Sequence, residues 1–183
     1  MRTFIGLSIS QHLCEQAECA AKQLQEVDSR IRTVTPDDFH ITLKFLGETN
    51  VNRLPFVKDL LVGLADSVSS FKWTARGVGV FPEERRPAVV WMGIDDLGAM
   101  SRLASTLDAE LLPLGFPKEH RPFHPHLTLA RINRRPSPLL FDWLDQNRDR
   151  DFGTEVATEI HLYRSEPNQH GPRYKRLCSV PLK

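Results

Sequence analysis

Two short segments of the chain pair a histidine with a threonine two positions later: HITL at residues 40–43 and HLTL at residues 126–129. Imidazole is the side chain whose pKa lies nearest neutral pH, so two histidines can hold one proton between them. One can take a proton from an attacking water while the other protonates a departing oxygen, and the threonine hydroxyls can donate hydrogen bonds to the charge that develops. This set of groups suits in-line displacement at phosphorus without a metal ion.

A single His-x-Thr-Leu segment usually marks no more than a strand with a polar face. At ordinary residue usage, a given window matches this pattern at a rate of roughly one in ten thousand. Two copies in 183 residues are therefore improbable by chance. The repetition favours a paired function for His40, Thr42, His126 and Thr128.

Two other interpretations stay open at this point. His124 and His126 form an HxH pair, which with His40 or His120 can supply three imidazole ligands and hence a metal-dependent hydrolase. No HxxE, HxD or cysteine ligand completes such a pattern nearby, and the threonines would then have no role. A non-catalytic RNA-binding module is the second alternative, although binding alone does not require twinned histidines on a chain with a net charge of +1.

Strands must position the two motifs, and the spacing of apolar residues predicts those strands and the helices between them. Ser10 is the predicted N-cap of a helix that follows the first strand, and Pro55 is tolerable in the first turn of a second helix. The predicted strands cover residues 3–9, 39–47, 71–81, 87–94, 123–131, 156–165 and 173–180. The predicted helices run from Ser10 to about residue 29, through residues 57–68 and 100–111, and briefly after residue 137.

The order β-α-β-α-β occurs twice, and one motif falls on the middle strand of each half. Because strand side chains alternate between two faces, His40, Thr42 and Lys44 are predicted to share one face. His126 and Thr128 share a face of the second strand in the same way. If the two halves meet about a pseudo-twofold axis, these faces look at each other across one cleft.

Three further residues are candidate substrate contacts. Lys44 shares the predicted face of the first motif and can neutralise a phosphate, with a snorkelling surface lysine as the alternative. Arg131 adjoins the second motif, but strand alternation points it away from the cleft unless the strand ends at Ala130. Tyr174 lies in the basic segment 164–176 and can stack on a nucleotide or an RNA end, with a solvated hairpin as the alternative.

Composition places the chain among globular proteins, with 40% apolar and 26% charged residues and no long apolar run. The net charge of +1 is too small to hold long duplex DNA by phosphate neutralisation alone, so any nucleic-acid contact should be local. The three cysteines show no CxxC spacing and suit reduced thiols in the cytoplasm. The N-terminal residues MRTFIGLSIS predict a strand rather than a signal peptide.

The sequence also resembles a known family, the two-histidine (2H) phosphoesterases, and most closely the bacterial RNA 2′,3′-cyclic phosphodiesterases, also called 2′-5′ RNA ligases. The paired HxTL motifs carry the resemblance, which extends over nearly the whole chain through TFIGLSI, FHITLKFLGE, VVWMGI, RPFHPHLTLAR and LYRS. It implies an α+β fold with two pseudo-symmetric lobes, each an antiparallel sheet flanked by helices, facing a central cleft. We expect a single bilobal domain of residues 1–183, with an internal repeat of approximately 1–82 and 86–183.

The resemblance further implies metal-independent hydrolysis of RNA or nucleoside 2′,3′-cyclic phosphodiester ends to 2′-phosphomonoesters, together with a reversible 2′-5′ RNA ligation. It implies His40 as the donor of a proton to the leaving 3′ oxygen and His126 as the proton acceptor, two roles that the residues alone do not separate. Thr42 and Thr128 complete the matching site. No metal and no other cofactor is expected. The expected partners are RNA with 2′,3′-cyclic phosphate ends or small cyclic nucleotides, without a membrane, for a cytoplasmic monomer.

Overall fold

The structure, a computed structural model, describes residues 1–169 and 171–183 of the chain. Within them, nine β-strands and four α-helices follow one another. The strands are β1 (Arg2–Leu7), β2 (Arg32–Thr33), β3 (Ile41–Glu48), β4 (Phe71–Phe81), β5 (Val89–Asp95), β6 (His126–Arg131), β7 (Asp151–Ala157), β8 (Glu159–Glu166) and β9 (Arg173–Pro181). The helices are α1 (Gln11–Val27), α2 (Leu54–Ala65), α3 (Ala99–Leu111) and α4 (Leu139–Gln146).

The first helix begins where the sequence predicts, whereas α2 begins at Leu54, before the predicted range of 57–68. The Ser10 side chain accepts a hydrogen bond of 3.2 Å from the backbone N–H of Leu13, which satisfies one of the free donors at the start of α1. Pro55 occupies the first turn of α2, where its missing N–H costs no helical hydrogen bond. The predicted positions of Ser10 and Pro55 are both confirmed.

All nine strands belong to one antiparallel sheet. Its order is β7-β4-β5-β6-β3-β1-β8-β9, and the short strand β2 pairs with β6 off this path. The two motif strands, β3 and β6, are neighbours at the middle of the sheet, where Ile41 pairs with Leu127. This junction brings the two His-x-Thr segments together.

Each half of the sheet combines strands from both halves of the chain. On one side of the sheet, β1 and β3 from the first half of the chain lie next to β8 and β9 from its second half. On the other side, β4 from the first half of the chain pairs with β5 and β7. Outward from the junction, the order β3, β1, β8, β9 on one side matches β6, β5, β4, β7 on the other. This symmetric order is what a duplicated unit would produce, and the repeat bounds of 1–82 and 86–183 stay a prediction.

The helices pack against the apolar side chains of this sheet. α1 contacts β6, β7 and α4, whereas α3 contacts β3, and α2 contacts β8 and β9. Alternate residues of the motif strands, such as Ile41 and Leu127, are fully buried in the resulting core. The predicted α+β fold is therefore confirmed, with the antiparallel strands joined in one curled sheet.

The predicted single strand over residues 156–165 is wrong, because the chain changes neighbours at Thr158. β7 ends at Ala157 and pairs with β4, while β8 begins at Glu159 and pairs with β1 and β9. The carbonyl of Thr158 accepts a hydrogen bond of 2.8 Å from the backbone of Leu182 at this crossing. The β-rich composition predicts extended chain there, but not the point at which it passes from one half of the sheet to the other.

No helix in the described part of the chain is long and apolar enough to cross a membrane. The three cysteines are free thiols.

Candidate active site

A cavity of about 300 Å³ opens at the junction of the two sheet halves. Its wall includes His40 and Thr42 from the first motif and Thr128 from the second. His126, the first residue of β6, is not one of the wall residues, but it is near enough to His40 that a positive charge on its ring lowers the pKa of His40. The structure therefore gathers the four motif residues at one place.

The imidazole of His40 is held in one orientation by the backbone. Its Nδ1 lies 2.7 Å from the carbonyl oxygen of Asp38, which can only accept, so Nδ1 carries the proton. In the neutral ring, Nε2 is then an acceptor, and the hydroxyl of Thr42 donates to it over 3.0 Å.

The imidazole of His126 is held in the same way. Its Nδ1 lies 2.7 Å from the carbonyl oxygen of His124, again two residues earlier in the chain. The two rings are therefore fixed by equivalent backbone contacts in the two halves. In neither ring is Nε2 bonded to the backbone, so this nitrogen can exchange a proton with a ligand.

Burial sets the charge state of both rings. Desolvation lowers the pKa of His40 to about 4 and also lowers the pKa of His126. The positive charge of Arg131 acts in the same direction on both pKa values, and the hydrogen bonds to the carbonyl oxygens oppose it. At neutral pH both rings are neutral in the free protein, so each Nε2 can accept a proton.

These shifts predict where activity peaks with pH. A mechanism with one charged and one neutral imidazole gives a bell-shaped kcat/KM, which falls below the lower pKa and above the higher one. Because both pKa values lie below the ordinary 6.5, we expect the maximum below pH 6.5 and a decline as pH rises through neutrality. Initial rates at subsaturating substrate, with circular dichroism at each pH as the control for folding, measure this profile. A maximum above 6.5, or a flat profile, would contradict it.

A β-bulge in β3 changes which side chains face the cavity. Thr42 pairs with Gly6 but Lys44 pairs with Ile5, so Leu43 is an extra residue in the strand. Lys44 consequently turns into the protein, where it forms an ion pair with Asp108 and donates to the carbonyl of Pro117 over 2.6 Å. The predicted phosphate contact of Lys44 is wrong, because the bulge breaks the alternation on which it rested.

A matching bulge in β6 brings Arg131 to the cavity. Thr128 pairs with Trp91 and Ala130 with Val90, which leaves Leu129 as the extra residue. Leu129 and Ala130 are both buried, and Arg131 then lies in the cavity wall. The expectation that alternation turns Arg131 away from the cleft is wrong, and its role as a substrate contact stays a prediction.

Phe45 is a wall residue that the sequence reasoning missed. It stands five positions after His40, as Arg131 stands five positions after His126, and the bulge in β3 places it in the cavity wall with 57% of its surface exposed. Alignment of the two motifs could have identified Phe45, because the extra residues Leu43 and Leu129 occupy equivalent positions in the two strands. An exposed phenylalanine in the cavity wall offers a flat apolar surface to a ligand.

Tyr174 lies against His40, with 4.5 Å between the two ring centroids in an edge-to-face arrangement. Burial raises the pKa of the Tyr174 hydroxyl, which therefore stays protonated. The carboxylate of Asp38 accepts from the backbone N–H of Tyr174 over 3.1 Å and from Arg173 over 3.2 Å. Asp38 thus fixes this part of segment 164–176, of which residue 170 lies outside the described residues, and binding by Tyr174 stays a prediction.

An aromatic ring packs against His40, and another packs against His126. The ring centroid of Phe4 lies 4.6 Å from that of His40, and the ring centroid of Phe81 lies 5.0 Å from that of His126. Trp91 packs at 4.8 Å on His124. The sequence reasoning missed these supports, because an aromatic residue on a neighbouring strand carries no local signal of which side chain it touches.

The metal interpretation finds no ligand set in the part of the chain that the structure describes. No three His, Cys, Asp or Glu side chains there are placed to hold one metal ion. The ring centroids of His124 and His126 are 6.4 Å apart, and the ring of His124 packs on aromatic neighbours instead.

The chain is similar in sequence to a known protein family and to several known proteins. The chain matches the family model of the LigT-like phosphoesterases over residues 7–91 and 95–174. It is 32% identical to an RNA 2′,3′-cyclic phosphodiesterase of Archaeoglobus fulgidus over 97% of this chain and 98% of that protein. It is 30% identical to an RNA 2′,3′-cyclic phosphodiesterase of Thermotoga maritima over 97% of this chain and 93% of that protein.

Solved structures show the same fold. A protein of Thermus thermophilus superposes with a TM-score of 0.86 at 30% identity and covers 100% of this chain and 98% of its own. LigT of E. coli in complex with 3′-AMP superposes with a TM-score of 0.75 at 26% identity, over 99% of this chain and 97% of its own.

Proposed function

This chain belongs to the LigT-like phosphoesterases of the 2H family, and from that premise we propose that it hydrolyses 2′,3′-cyclic phosphate ends of RNA to 2′-phosphomonoesters. One observation carries the proposal: the imidazoles of His40 and His126 are held alike by backbone carbonyls, and each keeps Nε2 for reaction. The names of the relatives supply the substrate class. Small nucleoside 2′,3′-cyclic phosphates contain the same reacting group and are substrates by the same reasoning.

The reaction breaks the bond between phosphorus and the 3′ oxygen. A water oxygen bonds to phosphorus as His126 Nε2 takes a proton from that water, and His40 Nε2 gives a proton to the leaving 3′ oxygen. This direction follows the resemblance, and the ligation direction follows when a 5′-hydroxyl replaces the water. The product keeps its phosphate on the 2′ oxygen.

The threonines stabilise the charge on the phosphoryl oxygens that do not leave. The hydroxyls of Thr42 and Thr128 can each donate to one of these oxygens. Thr42 donates to Nε2 of neutral His40 in the free protein. When His40 becomes protonated, Nε2 no longer accepts, and the Thr42 hydroxyl is released toward the phosphate. No step in this scheme requires a metal ion or another cofactor.

Phosphorus NMR tests the proposal directly. The protein is incubated with adenosine 2′,3′-cyclic phosphate, and the product signal is compared with authentic 2′-AMP and 3′-AMP. We expect conversion to 2′-AMP alone. An unchanged substrate signal would favour the non-catalytic RNA-binding alternative, and 3′-AMP would mean that the other ester bond breaks.

A second experiment separates this mechanism from the metal-dependent one. We expect His124→Ala to lower kcat/KM by less than about tenfold and EDTA to leave activity intact, because the hydrogen bond from His126 goes to the backbone carbonyl of His124, which the substitution keeps. A metal site would lose a ligand in the same variant and lose activity with the chelator. Purified protein of known metal content is assayed with and without EDTA. Inactivation by EDTA that added zinc reverses would rule out the two-histidine mechanism.

A further inference from the structure

Within the described residues, three arginines at the cavity wall have no carboxylate partner that neutralises them. Arg2, Arg32 and Arg131 line the cavity and are exposed, and we call them the arginine rim. None of them forms an ion pair with a carboxylate within residues 1–169 and 171–183. Arg173, a fourth wall arginine, differs because Asp37 and Asp38 neutralise it.

Two of these arginines are held next to each other by the sheet. Arg32 in β2 is directly opposite Arg131 in β6, and directly opposite residues of an antiparallel pair point to the same face. Like charges in this position repel and destabilise the pair. A positive pair kept against its own repulsion is the arrangement expected where an anion binds.

Arg2 brings charge from the other half of the sheet. It lies in β1 opposite Ser165 of β8, and both residues line the cavity. The positive charges of Arg2 and Arg131 both lower the pKa of the Tyr174 hydroxyl, so both arginines lie near this ring. The arginine rim therefore extends from the imidazoles to beyond the ring of Tyr174. Among the described wall residues, Asp38 has the only carboxylate, and Arg173 occupies it.

The cavity is too small for more than one nucleotide. Its volume of about 300 Å³ is at the lower end of the range for small-molecule sites. When the cyclic phosphate sits between the imidazoles, the rest of an RNA strand must leave across the rim. The first charged group that it carries out of the cavity is the phosphodiester on the 5′ side of the terminal nucleotide.

We propose that Arg2 and Arg32 bind the phosphodiester on the 5′ side of the terminal nucleotide, which makes an RNA end a better substrate than a cyclic mononucleotide. This inference rests on the proposed function and adds a second phosphate subsite to it. Guanidinium groups donate strong, directed hydrogen bonds to phosphate oxygens. A rim that binds the backbone carries no information on base sequence, so the preference extends to any RNA end.

Three substrates test this subsite: adenosine 2′,3′-cyclic phosphate, the dinucleotide ApA with the same cyclic end, and that dinucleotide with an uncharged methylphosphonate as its internal linkage. The measured quantity is the ratio of kcat/KM for the dinucleotide to kcat/KM for the mononucleotide. Arg2→Gln and Arg32→Gln are compared with Arg102→Gln, an exposed arginine on α3 that removes the same charge elsewhere.

In the unaltered protein we expect a ratio of about ten or more, since a hydrogen bond to a charged group contributes on that scale. The methylphosphonate should react at about the rate of the mononucleotide. Arg2→Gln and Arg32→Gln should each lower the ratio by about three- to tenfold, while Arg102→Gln keeps it. The preference should also weaken as salt is added.

A ratio near one, or a methylphosphonate as good as the phosphodiester, would overturn the subsite while the hydrolysis itself still supports the proposed function. Absence of hydrolysis for all three substrates would instead overturn the proposed function. Removing one of two repelling charges should not lower Tm, so Arg32→Gln is expected to fold. If a variant does not fold, the methylphosphonate comparison in the unaltered protein still decides.

Discussion

Alanine in place of His40 or His126 is expected to lower kcat by roughly 10²–10⁴-fold, because each variant loses a group that moves a proton in the reaction. The loss should appear for the mononucleotide and for the dinucleotide alike, since both present the same cyclic phosphate. Steady-state rates with adenosine 2′,3′-cyclic phosphate measure it. His120→Ala is the matched control, because His120 is exposed and lies outside the cavity wall.

The double variant distinguishes a concerted pair from two separate contributions. If both imidazoles act in one step, the second substitution should lower kcat much less in a variant that already lacks the first imidazole than it does in the unaltered protein. Fully multiplicative losses would mean that the two rings act independently. His40 contacts the ring of Phe4, so the Tm of each variant is measured alongside, and His40→Asn keeps a polar side chain if alanine destabilises the protein.

Valine in place of Thr42 or Thr128 should have the next largest effect. The exchange keeps the branched shape but removes the hydroxyl, which should cost about 1–4 kcal/mol of transition-state stabilisation, or roughly five- to a thousandfold in kcat/KM. Serine at either position keeps the donor and is expected to restore most of the rate. Unchanged kinetics for both valine variants would leave the hydroxyls without a role in the reaction.

The two threonines should differ in their effect on the pH profile. The Thr42 hydroxyl donates to Nε2 of neutral His40 and so favours the neutral ring. Loss of this hydrogen bond should raise the pKa of His40. The side of the bell-shaped pH profile of kcat/KM that is set by the ionisation of His40 should then move to higher pH. No hydrogen bond in the described residues joins Thr128 to His126, so Thr128→Val should lower the rate without this shift.

The sequence predicted those parts of the site that can be recognised from side-chain type alone. The repeated His-x-Thr pattern identified the four residues that the structure brings to one junction, and alternation placed the first three residues of each motif correctly. Alternation failed immediately afterwards, at Leu43 and Leu129, because a β-bulge adds one residue without any glycine or proline to mark it. Lys44 was assigned to the wrong side for this reason, and Arg131, a candidate contact, lies in the cavity wall although strict alternation would turn it away.

Sequence predicted most helices and strands but not their neighbours. Periodicity is a local property, so it indicates where β8 is extended and says nothing of its pairing with β1. The ring of Tyr174 reaches His40 only because β9 pairs with β8 at the edge of the sheet. Contacts of this kind depend on the order of strands, which the spacing of residues does not contain.

The exchange of strands between the two sheet halves also constrains the protein during its synthesis. β1 leaves the ribosome well before β8, yet its residue Arg2 pairs with Ser165 in β8. Pairings between segments so far apart in the chain close slowly and only after the later segment exists. A nascent chain that already carries both histidine motifs therefore still has an unpaired edge on β1. It acquires a working site only when β8 and β9 arrive, so we expect catalysis to begin after translation of the last strand rather than motif by motif.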